Sequence, residues 1–391
     1  MIYKKFKDLQ LSWLGMGNMR LPVTEQRGPI DEQKAREIVE HAYKSGINYY
    51  DTAYGYLGGQ SEIFVGKVLA QYPRDSWYLA SKFPGHMLRK NGDVLDFGGQ
   101  YSTGTFRSAA EVFERQLEKC GVDYFDFYML HNLSESSYAF YADEDLKIID
   151  YLLEQKKAGR IKYFGFSTHA STESIEQYLD WKKDCFDFVQ IQINYMDWTL
   201  QDAKGKYENL TRRGIPVIAM EPCRGGKLAS LEDAESAMLK KARPDDSIAS
   251  WAFRYLQSFD NIPVVLSGMS TMEQLKENIE IYSKNDPTTE QEKQLLAAVV
   301  TSMMNSVPCT ACRYCCDGCP VSLDIPKLIS MYNEASFAMQ GSLRLAIGAL
   351  KEDELPSACI ACGACNAVCP QNIDIPEVMQ KFTALINSTR R

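Results

Sequence analysis

Two copies of one cysteine motif constrain this chain more than any other feature of its sequence. Both copies read C-x2-C-x2-C-x3-C-P, and together they hold eight of the twelve cysteines: Cys309, Cys312, Cys315 and Cys319 before Pro320, then Cys359, Cys362, Cys365 and Cys369 before Pro370. Soft thiolates this close together bind iron–sulfur clusters or zinc. The spacing, the trailing proline and the duplication favour two 4Fe–4S clusters. Two zinc ions with four thiolates each are the alternative.

The fourth cysteine of each motif is expected to bind the cluster of the other motif. This is the ligand arrangement of two-cluster ferredoxins with this spacing. Applied to this chain, it gives one ligand set of Cys309, Cys312, Cys315 and Cys369, and a second of Cys319, Cys359, Cys362 and Cys365. An alternative register, with Cys316 in place of Cys315, breaks the match between the two motifs.

The segment between the motifs is predicted to be mostly helical. Apolar spacing indicates helices at Ile325–Asn333 and Leu343–Glu354. Each motif is also followed by a similar tetrapeptide, Leu323–Pro326 or Ile373–Pro376, whose proline can begin a helix. This long spacer resembles the α-helical ferredoxin modules of respiratory-type iron–sulfur subunits. We therefore expect a small, mostly helical ferredoxin-like iron–sulfur domain.

Length and composition limit the remaining possibilities. A chain of 391 residues exceeds what one compact core usually serves, so two domains are expected. The net charge of −8 argues against nucleic acid or an anionic membrane as a partner. No apolar run is long enough for a membrane span, and Met1–Asp8 lacks the apolar core of a signal peptide. We therefore expect a cytoplasmic protein, where a reducing environment keeps thiolates available for metal.

The part of the chain before the cysteines alternates short apolar runs with helical patterns. The predicted strands are Leu11–Gly15, Ile47–Asp51, Trp77–Ser81, Phe125–Leu130, Ile161–Phe166, Phe188–Ile191, Pro216–Met220 and Pro263–Ser267. Eight strands separated by helices predict an α/β fold of the (β/α)8 TIM-barrel type. A doubly wound sheet is the competitor, but it would need a G-x-G-x-x-G turn after its first strand, and Gly15-Met16-Gly17 lacks the third glycine.

A turn-like Asn285-Asp286-Pro287 marks the end of the predicted barrel. We expect the barrel to occupy residues 1–284, a linker helix residues 285–300, and the iron–sulfur domain residues 301–391.

Polar residues stand at or just beyond the ends of three consecutive predicted strands. Asp51 closes the second strand and Tyr56 follows it, Lys82 closes the third, and His131 closes the fourth. Active sites of such barrels gather at the C-terminal ends of the strands. Each residue alone could be an ordinary rim residue or half of an ion pair. Together they predict a catalytic site.

Residues 9–282 resemble the aldo-keto reductase family, whose members are (β/α)8 barrels that reduce carbonyls with a nicotinamide cofactor. The resemblance rests on the four polar residues and on short strings in order along the chain: Leu14–Gly17, Asp51–Ala53, Ser61-Glu62, Ile161–Ser167, Gln190–Asn194, Glu221–Gly226, Ser267–Met269 and Glu277-Asn278.

The resemblance implies a role for each candidate residue. Tyr56 would be the general acid, and Lys82 would lower its pKa, because a nearby ammonium favours the phenolate. Asp51 would neutralise Lys82, and His131 would orient the carbonyl oxygen. Ser167 and Gln190 would hold the nicotinamide carboxamide, and Gly268 and Asn278 would contact the nucleotide. The implied cofactors are NADPH or NADH in addition to the two clusters.

The last strand departs from the family pattern. Its loop usually supplies basic residues to the 2′-phosphate of NADPH, but Ser267–Gln274 contains no lysine or arginine. NADH is therefore a fair alternative. A second departure is Thr168-His169, where many family members have asparagine after the serine.

Two functional hypotheses follow. In the first, the chain transfers hydride between NAD(P)H and a small carbonyl or alcohol, as an EC 1.1.1-like oxidoreductase, and the clusters serve electron transfer or structure. In the second, the barrel only binds nucleotide or docks a redox partner protein. Nicotinamide gives up two electrons and each cluster carries one, and the sequence shows no flavin signature to split the pair. The loop Phe83–Thr105, with His86, Arg89 and Tyr101, is expected to cover a substrate or to pack on the cluster domain.

Overall fold

The computed structural model describes residues 1–25, 28–97, 105–303, 307–337, 339 and 341–389, apart from the side chain of residue 342. Tyr101 of the candidate substrate loop lies outside the described residues. The chain divides into two compact units, one of residues 1–231 and 242–293, the other of residues 232–241 and 294–391. The predicted domain boundaries, with a barrel at residues 1–284, a linker helix at 285–300 and an iron–sulfur domain at 301–391, stay a prediction.

The first unit is a closed barrel of eight parallel strands, as the sequence predicts. Numbered among all strands of the chain, these are β3 (Leu14–Gly17), β4 (Tyr49–Asp51), β5 (Tyr78–Phe83), β9 (Phe125–Leu130), β10 (Ile161–Thr168), β11 (Phe188–Gln192), β12 (Val217–Met220) and β13 (Val264–Ser267). Strands adjacent in this order pair with each other, and β13 pairs with β3 to close the ring. Parallel pairing places all C-terminal strand ends on one face.

An antiparallel hairpin precedes the barrel, formed by β1 (Tyr3–Phe6) and β2 (Leu9–Ser12). The sequence predicted one strand at Leu11–Gly15, and the structure divides it between β2 and β3. Phe6 packs edge-on against Phe127 with ring centroids 5.2 Å apart, inside the apolar cluster that fills the barrel. Burial of one such phenylalanine stabilises the fold by about 1.5–3 kcal/mol.

The helices of the first 303 residues are α1 (Glu32–Lys44), α2 (Gln60–Leu69), α3 (Ala109–Cys120), α4 (Tyr138–Tyr141), α5 (Ile148–Lys157), α6 (Thr172–Trp181), α7 (Asp197–Leu200), α8 (Ala203–Arg212), α9 (Asp233–Ala242), α10 (Ile248–Leu256), α11 (Met272–Ile281) and α12 (Glu290–Met303). Asp31 caps α1 by accepting a hydrogen bond from the backbone of Lys34. Helix α3 ends at Gly121, whose φ of 62° suits glycine.

The segment after β5 contains a small antiparallel sheet where the sequence predicted only a loop. Its strands are β6 (Leu88–Asn91), β7 (Val94–Phe97) and β8 (Thr105–Phe106). Phe97 stacks on Tyr54 with ring centroids 4.9 Å apart, so the sheet is anchored beside the loop that carries Tyr56. The strands are too short and too polar to be recognised from alternation alone.

The second unit is mostly helical, as expected for the C-terminal domain. After residue 303 it contains α13 (Tyr314–Asp317), α14 (Ile325–Phe337), α15 (Gly341–Gly348), α16 (Ala364–Ala367) and α17 (Ile375–Thr389). Each motif therefore gives a short helix followed by a long one that begins near Ile-Pro, and Ile329 and Phe382 of the two long helices are buried in one apolar core. The predicted helix Leu343–Glu354 ends earlier, at Gly348. Among the described helices, none has the length and apolar character to cross a membrane.

Candidate active site and cysteine cavities

Asp51 and Lys82 form a buried ion pair at the C-terminal ends of β4 and β5. Lys82 Nζ donates to Asp51 Oδ1 at 2.6 Å, to Asp51 Oδ2 at 2.8 Å and to the Thr52 carbonyl oxygen at 2.7 Å. The two residues are 3% and 1% exposed. All three ammonium hydrogens thus have acceptors, which a buried ammonium requires.

The electrostatics of this pair combine burial with mutual attraction. Burial raises the pKa of the Asp51 carboxyl, and the Lys82 ammonium opposes that shift without cancelling it. Burial also disfavours charge on Lys82, but Asp51 and Tyr56 outweigh it and the pKa of Lys82 is raised. The ammonium is therefore retained at neutral pH, and Asp51 is its counter-ion.

The structure brings Tyr56 to this ion pair. Lys82 Nζ lies 4.7 Å from the centroid of the Tyr56 ring. Burial raises the pKa of Tyr56, while the Lys82 ammonium lowers it, and the net direction is upward. Lys82 therefore shifts the pKa of Tyr56 in the direction that the sequence predicts, but the cost of burying a phenolate exceeds the attraction of this ammonium.

His131 stands between Tyr56 and a histidine that sequence reasoning left in the substrate loop. Its ring centroid is 5.8 Å from that of Tyr56 and 4.3 Å from that of His86. Burial lowers the pKa of His131 well below its usual range, and His86 and Lys82 reinforce that shift. His131 is therefore a neutral imidazole at physiological pH, which can donate or accept one hydrogen bond at each ring nitrogen.

Two buried networks hold these strand ends in place. Asn18 Nδ2 donates to the carbonyl oxygens of Met16 and Asp51, which joins β3 to β4. Glu62 accepts hydrogen bonds from Ser81 Oγ and Gln116 Nε2, both at 2.6 Å, and joins β5 to α2 and α3. The backbones next to Asp51 and Lys82 therefore have little freedom.

The candidate nicotinamide contacts lie at the ends of β10 and β11. Ser167 Oγ accepts from the backbone of Asn132 at 2.9 Å. Gln190 is 2% exposed, its Nε2 lies 3.5 Å from Met220 Sδ, and its Oε1 is buried with no hydrogen-bond partner among the described residues. A buried amide oxygen of this kind favours a ligand donor, because leaving it unsatisfied costs about 1–3 kcal/mol.

The candidate nucleotide contacts lie at the end of β13. Asn278 Nδ2 donates to Ser267 Oγ at 3.0 Å. Gly268 lies against Arg20, since a Cβ atom on Gly268 would be 3.2 Å from the Arg20 side chain. Gln274 is used locally, because its side chain accepts from the backbones of Ser270 and Thr271 and caps α11.

The cysteines of the two motifs surround two separate cavities. One cavity is lined by Cys309, Cys312, Cys315 and Cys369. The other is lined by Cys319, Cys359, Cys362 and Cys365. The fourth cysteine of each motif thus lies with the first three of the other, which is the crossed arrangement that the spacing suggests. A donor set of four soft thiolates around one cavity fits an iron–sulfur cluster.

Cys316 does not line either of these cavities. Its neighbour Cys315 faces the first one, and burial together with Cys316 raises the pKa of the Cys315 thiol to about 12. In the described part of the chain, no three Cys, His, Asp or Glu residues converge as ligands of a single metal ion.

The first unit is a parallel (β/α)8 barrel with polar side chains at its strand ends, and the second is a helical unit with two cysteine-lined cavities. Together they define a class of two-module redox protein. Residues 13–300 match the sequence profile of the aldo/keto reductase family, and residues 308–373 match that of the 4Fe-4S dicluster domain. The chain therefore belongs to the aldo/keto reductase family, as an oxidoreductase that also carries a 4Fe–4S dicluster domain.

Similar proteins and structures match about three quarters of this chain. The NADH-specific methylglyoxal reductase of Escherichia coli is 25% identical over 309 residues, which are 71% of this chain and 92% of that protein. The uncharacterized oxidoreductase YqkF of Bacillus subtilis is 27% identical over 311 residues, 74% of this chain and 92% of that protein. The holo structure of aldo-keto reductase AKR11C1 from Bacillus halodurans is 27% identical, with a TM-score of 0.59 over 76% of this chain and 96% of that one.

Proposed function

We propose that the barrel transfers hydride between a nicotinamide nucleotide and the carbonyl carbon of a small aldehyde or ketone, in either direction. The observation that carries the proposal is the contact of Tyr56 with the buried Asp51–Lys82 pair and with neutral His131. A phenol that can donate a proton, an ammonium that can stabilise negative charge and an imidazole that can orient a carbonyl therefore lie together at the strand ends. Active sites of such barrels are found at this face.

Tyr56 is the proposed general acid. When bound, the reduced nicotinamide supplies a hydride, and the carbonyl oxygen then needs a proton. The raised pKa of Tyr56 keeps its hydroxyl protonated at neutral pH, because burial disfavours the phenolate. As the proton leaves Tyr56 Oη, the neighbouring Lys82 ammonium stabilises the negative charge that forms on the ring oxygen.

His131 and Asp51 have supporting roles in this proposal. His131 donates a hydrogen bond to the carbonyl oxygen, and its lowered pKa means that it does so as a neutral imidazole rather than as an imidazolium. Asp51 accepts two hydrogen bonds from Lys82 and fixes the ammonium beside Tyr56. Ser167 and Gln190 bind the nicotinamide carboxamide, which the unpaired Gln190 Oε1 supports.

We infer that the preferred nucleotide is NADH. The loop Ser267–Gln274 has no basic side chain to bind a 2′-phosphate, and the Gln274 side chain is occupied in capping α11. Asn278 and Gly268 remain the proposed contacts at this end. The name of the Escherichia coli relative, which is NADH-specific, agrees with this preference.

The two cysteine cavities are the proposed sites of two 4Fe–4S clusters, with the crossed ligand sets given above. Each bound cluster supplies one-electron chemistry. A second candidate function is therefore electron transfer to a partner redox protein, with the barrel as a nucleotide-binding body. The exposure of Cys312 and Cys362 and of the neighbouring Ile360, which is 61% exposed, favours it.

Turnover by the anaerobically purified full-length protein separates the two functions. Wild type should oxidise NADH faster than NADPH in the presence of an aldehyde, and Tyr56→Phe should lower kcat by at least about a hundredfold while nucleotide binding is kept. Full activity of Tyr56→Phe would remove Tyr56 from the chemistry. Bleaching of cluster absorbance by NADH without any carbonyl turnover would support the electron-transfer function instead.

A further inference from the structure

The two cysteine cavities are lined by corresponding positions of the two motif copies. We name them the Arg313 cavity, with Cys309, Cys312, Cys315 and Cys369, and the Gly363 cavity, with Cys319, Cys359, Cys362 and Cys365. Every residue that lines the Arg313 cavity has a counterpart, fifty residues away in the sequence, in the lining of the Gly363 cavity. The two cavities can therefore be compared position by position.

Three of the matched positions differ in polarity, and at all three the polar residue lies in the Arg313 cavity. The pairs, with the residue of the Arg313 cavity first, are Thr310 and Ile360, Arg313 and Gly363, and Gln371 and Val321. Apart from its cysteines, the described lining of the Gly363 cavity has no polar side chain. The Arg313 cavity has a hydroxyl, a guanidinium and an amide in addition to its cysteines.

The ion pair of Arg313 does not remove the difference in charge between the two cavities. Arg313 Nη1 donates to Asp324 Oδ1 at 3.1 Å. The counterpart of this aspartate is Asp374, whose Oδ1 accepts from the neutral Asn366 Nδ2 at 3.2 Å. At neutral pH a carboxylate paired with an amide keeps its negative charge, so the Arg313 side is more positive at these positions. Asp317, which has no acidic counterpart, works against this difference but lines neither cavity.

The backbone shows that the loop itself does not require an arginine at this position. Arg313 has a φ of 66° and Gly363 a φ of 75°, so both adopt the left-handed conformation that favours glycine. A residue other than glycine is strained in that conformation, and such strain clusters at functional positions. The Gly363 cavity has the unstrained residue, so four cysteines can surround a cavity of this kind without an arginine.

We propose that Arg313, together with Thr310 and Gln371, makes the cluster of its cavity easier to reduce than the cluster of the Gly363 cavity. This inference rests on the proposed presence of two clusters. Reduction adds one negative charge, which a guanidinium and hydrogen-bond donors stabilise and an apolar lining does not. The Arg313 side chain is 59% exposed, so solvent weakens its effect. One electron that a one-electron donor delivers to this unit is therefore held mainly in the Arg313 cavity.

The test is an anaerobic redox titration of the full-length protein with its clusters, followed by electron paramagnetic resonance and visible absorbance. Wild type should be reduced in two resolved one-electron steps. Arg313→Gly removes the charge and places at this position the residue that the other copy already has. It should lower the higher midpoint by about 59 mV, which is a tenfold change in the equilibrium constant of a one-electron couple, and should change the lower midpoint little.

The reciprocal substitution moves the charge to the other cavity. A Cβ atom on Gly363 would meet no heavy atom of the described residues within 4 Å, and Arg313 shows that an arginine adopts this backbone conformation. Gly363→Arg should raise the lower midpoint, so each single variant should bring the two midpoints closer together. Two equal clusters that only repel each other's electrons would respond in the opposite way, because a change at one of them would move the midpoints further apart.

Two further variants separate the charge at the cavity from general effects. Arg313→Lys keeps the positive charge and should retain more of the difference between the midpoints than Arg313→Gly. Lys381 is also an exposed, paired cation, with Glu377 at 2.8 Å, but it lines neither cavity. Lys381→Gln is therefore the matched control and should leave both midpoints unchanged.

The inference is overturned if Arg313→Gly shifts the higher midpoint no more than Lys381→Gln does, or if either exchange between Arg313 and Gly363 moves the midpoints further apart. Such a result in a protein with about eight iron atoms per chain would refute this inference alone. A protein that contains zinc and lacks cluster absorbance would refute the two proposed clusters as well.

Discussion

Tyr141 is hydrogen-bonded to the backbone of His131: its hydroxyl oxygen lies 2.8 Å from the His131 carbonyl oxygen. The same hydroxyl lies 3.0 Å from the carbonyl oxygen of Phe83, the residue after Lys82. One buried phenol thus joins the ends of β5 and β9, at the residue after Lys82 and at His131. Gly85 makes this possible, because a Cβ atom there would lie only 2.4 Å from the Tyr141 ring.

Removal of the Tyr141 hydroxyl should therefore impair catalysis more than binding. We expect Tyr141→Phe to lower kcat about tenfold, equivalent to about 1.4 kcal/mol, with the KM for NADH unchanged, because the backbone of His131 loses a side-chain contact that helps to hold it at the end of β5. Steady-state kinetics measures both parameters. Tyr138→Phe on the same short helix is the control. An unchanged kcat in Tyr141→Phe would show that the link has no catalytic effect.

Separate replacement of Asp51 and Lys82 should cost more stability than their joint replacement. Asp51→Asn leaves a buried ammonium and Lys82→Met leaves a buried carboxylate, and breaking a buried pair typically costs about 3–5 kcal/mol. The double variant buries neither charge, so its loss should be smaller than the sum of the two single losses. Anaerobic urea unfolding of the four proteins gives the interaction free energy. Strict additivity would contradict a coupled pair.

The stability of the fold should decrease as pH falls from about 6.5 towards 4. An unfolded histidine titrates near 6.5, whereas the pKa values of His86 and His169 in the folded chain are lowered to about 4. Between these values the unfolded chain binds more protons, so acid favours unfolding, and the stabilising contribution is complete only above about 6.5. His86→Phe should show a shallower loss of unfolding free energy over this range than wild type, and His41→Phe should show the wild-type slope. Identical slopes in all three proteins would mean that His86 is not held neutral.

Cysteine variants should group by cavity and not by motif. Cys369 and Cys315 line the same cavity, so Cys369→Ala and Cys315→Ala should each remove the same cluster. Both variants should keep about half of the roughly eight iron atoms per chain and show the same residual electron paramagnetic resonance signal. Cys319→Ala and Cys365→Ala should share the other residual signal. Cys316→Ala should keep full iron content. If Cys369→Ala gave the same spectrum as Cys365→Ala, the crossed ligand sets would be wrong.

Local patterns in the sequence were sufficient for much of this description. The positions of Asp51, Lys82 and His131 at strand ends follow from apolar runs that stop at a polar residue, and parallel strands bring such ends to one face. The cysteine spacing predicts the crossed sets because two-cluster ferredoxins with this spacing share the fourth cysteine in that way. The NADH preference that we propose also rests on a local property, the absence of basic residues from Ser267–Gln274.

Only the tertiary structure decided what depends on distant parts of the chain. The pKa of Tyr56 is raised and not lowered, because desolvation is set by everything that surrounds the ring and not by Lys82 alone. The link from Tyr141 to Phe83 and His131 carries no sequence signal, since it joins residues from separate elements. The contact between His86 and His131 is likewise a product of strand order, because β5 and β9 are neighbours in the barrel and their ends bring the two rings together beside Tyr56.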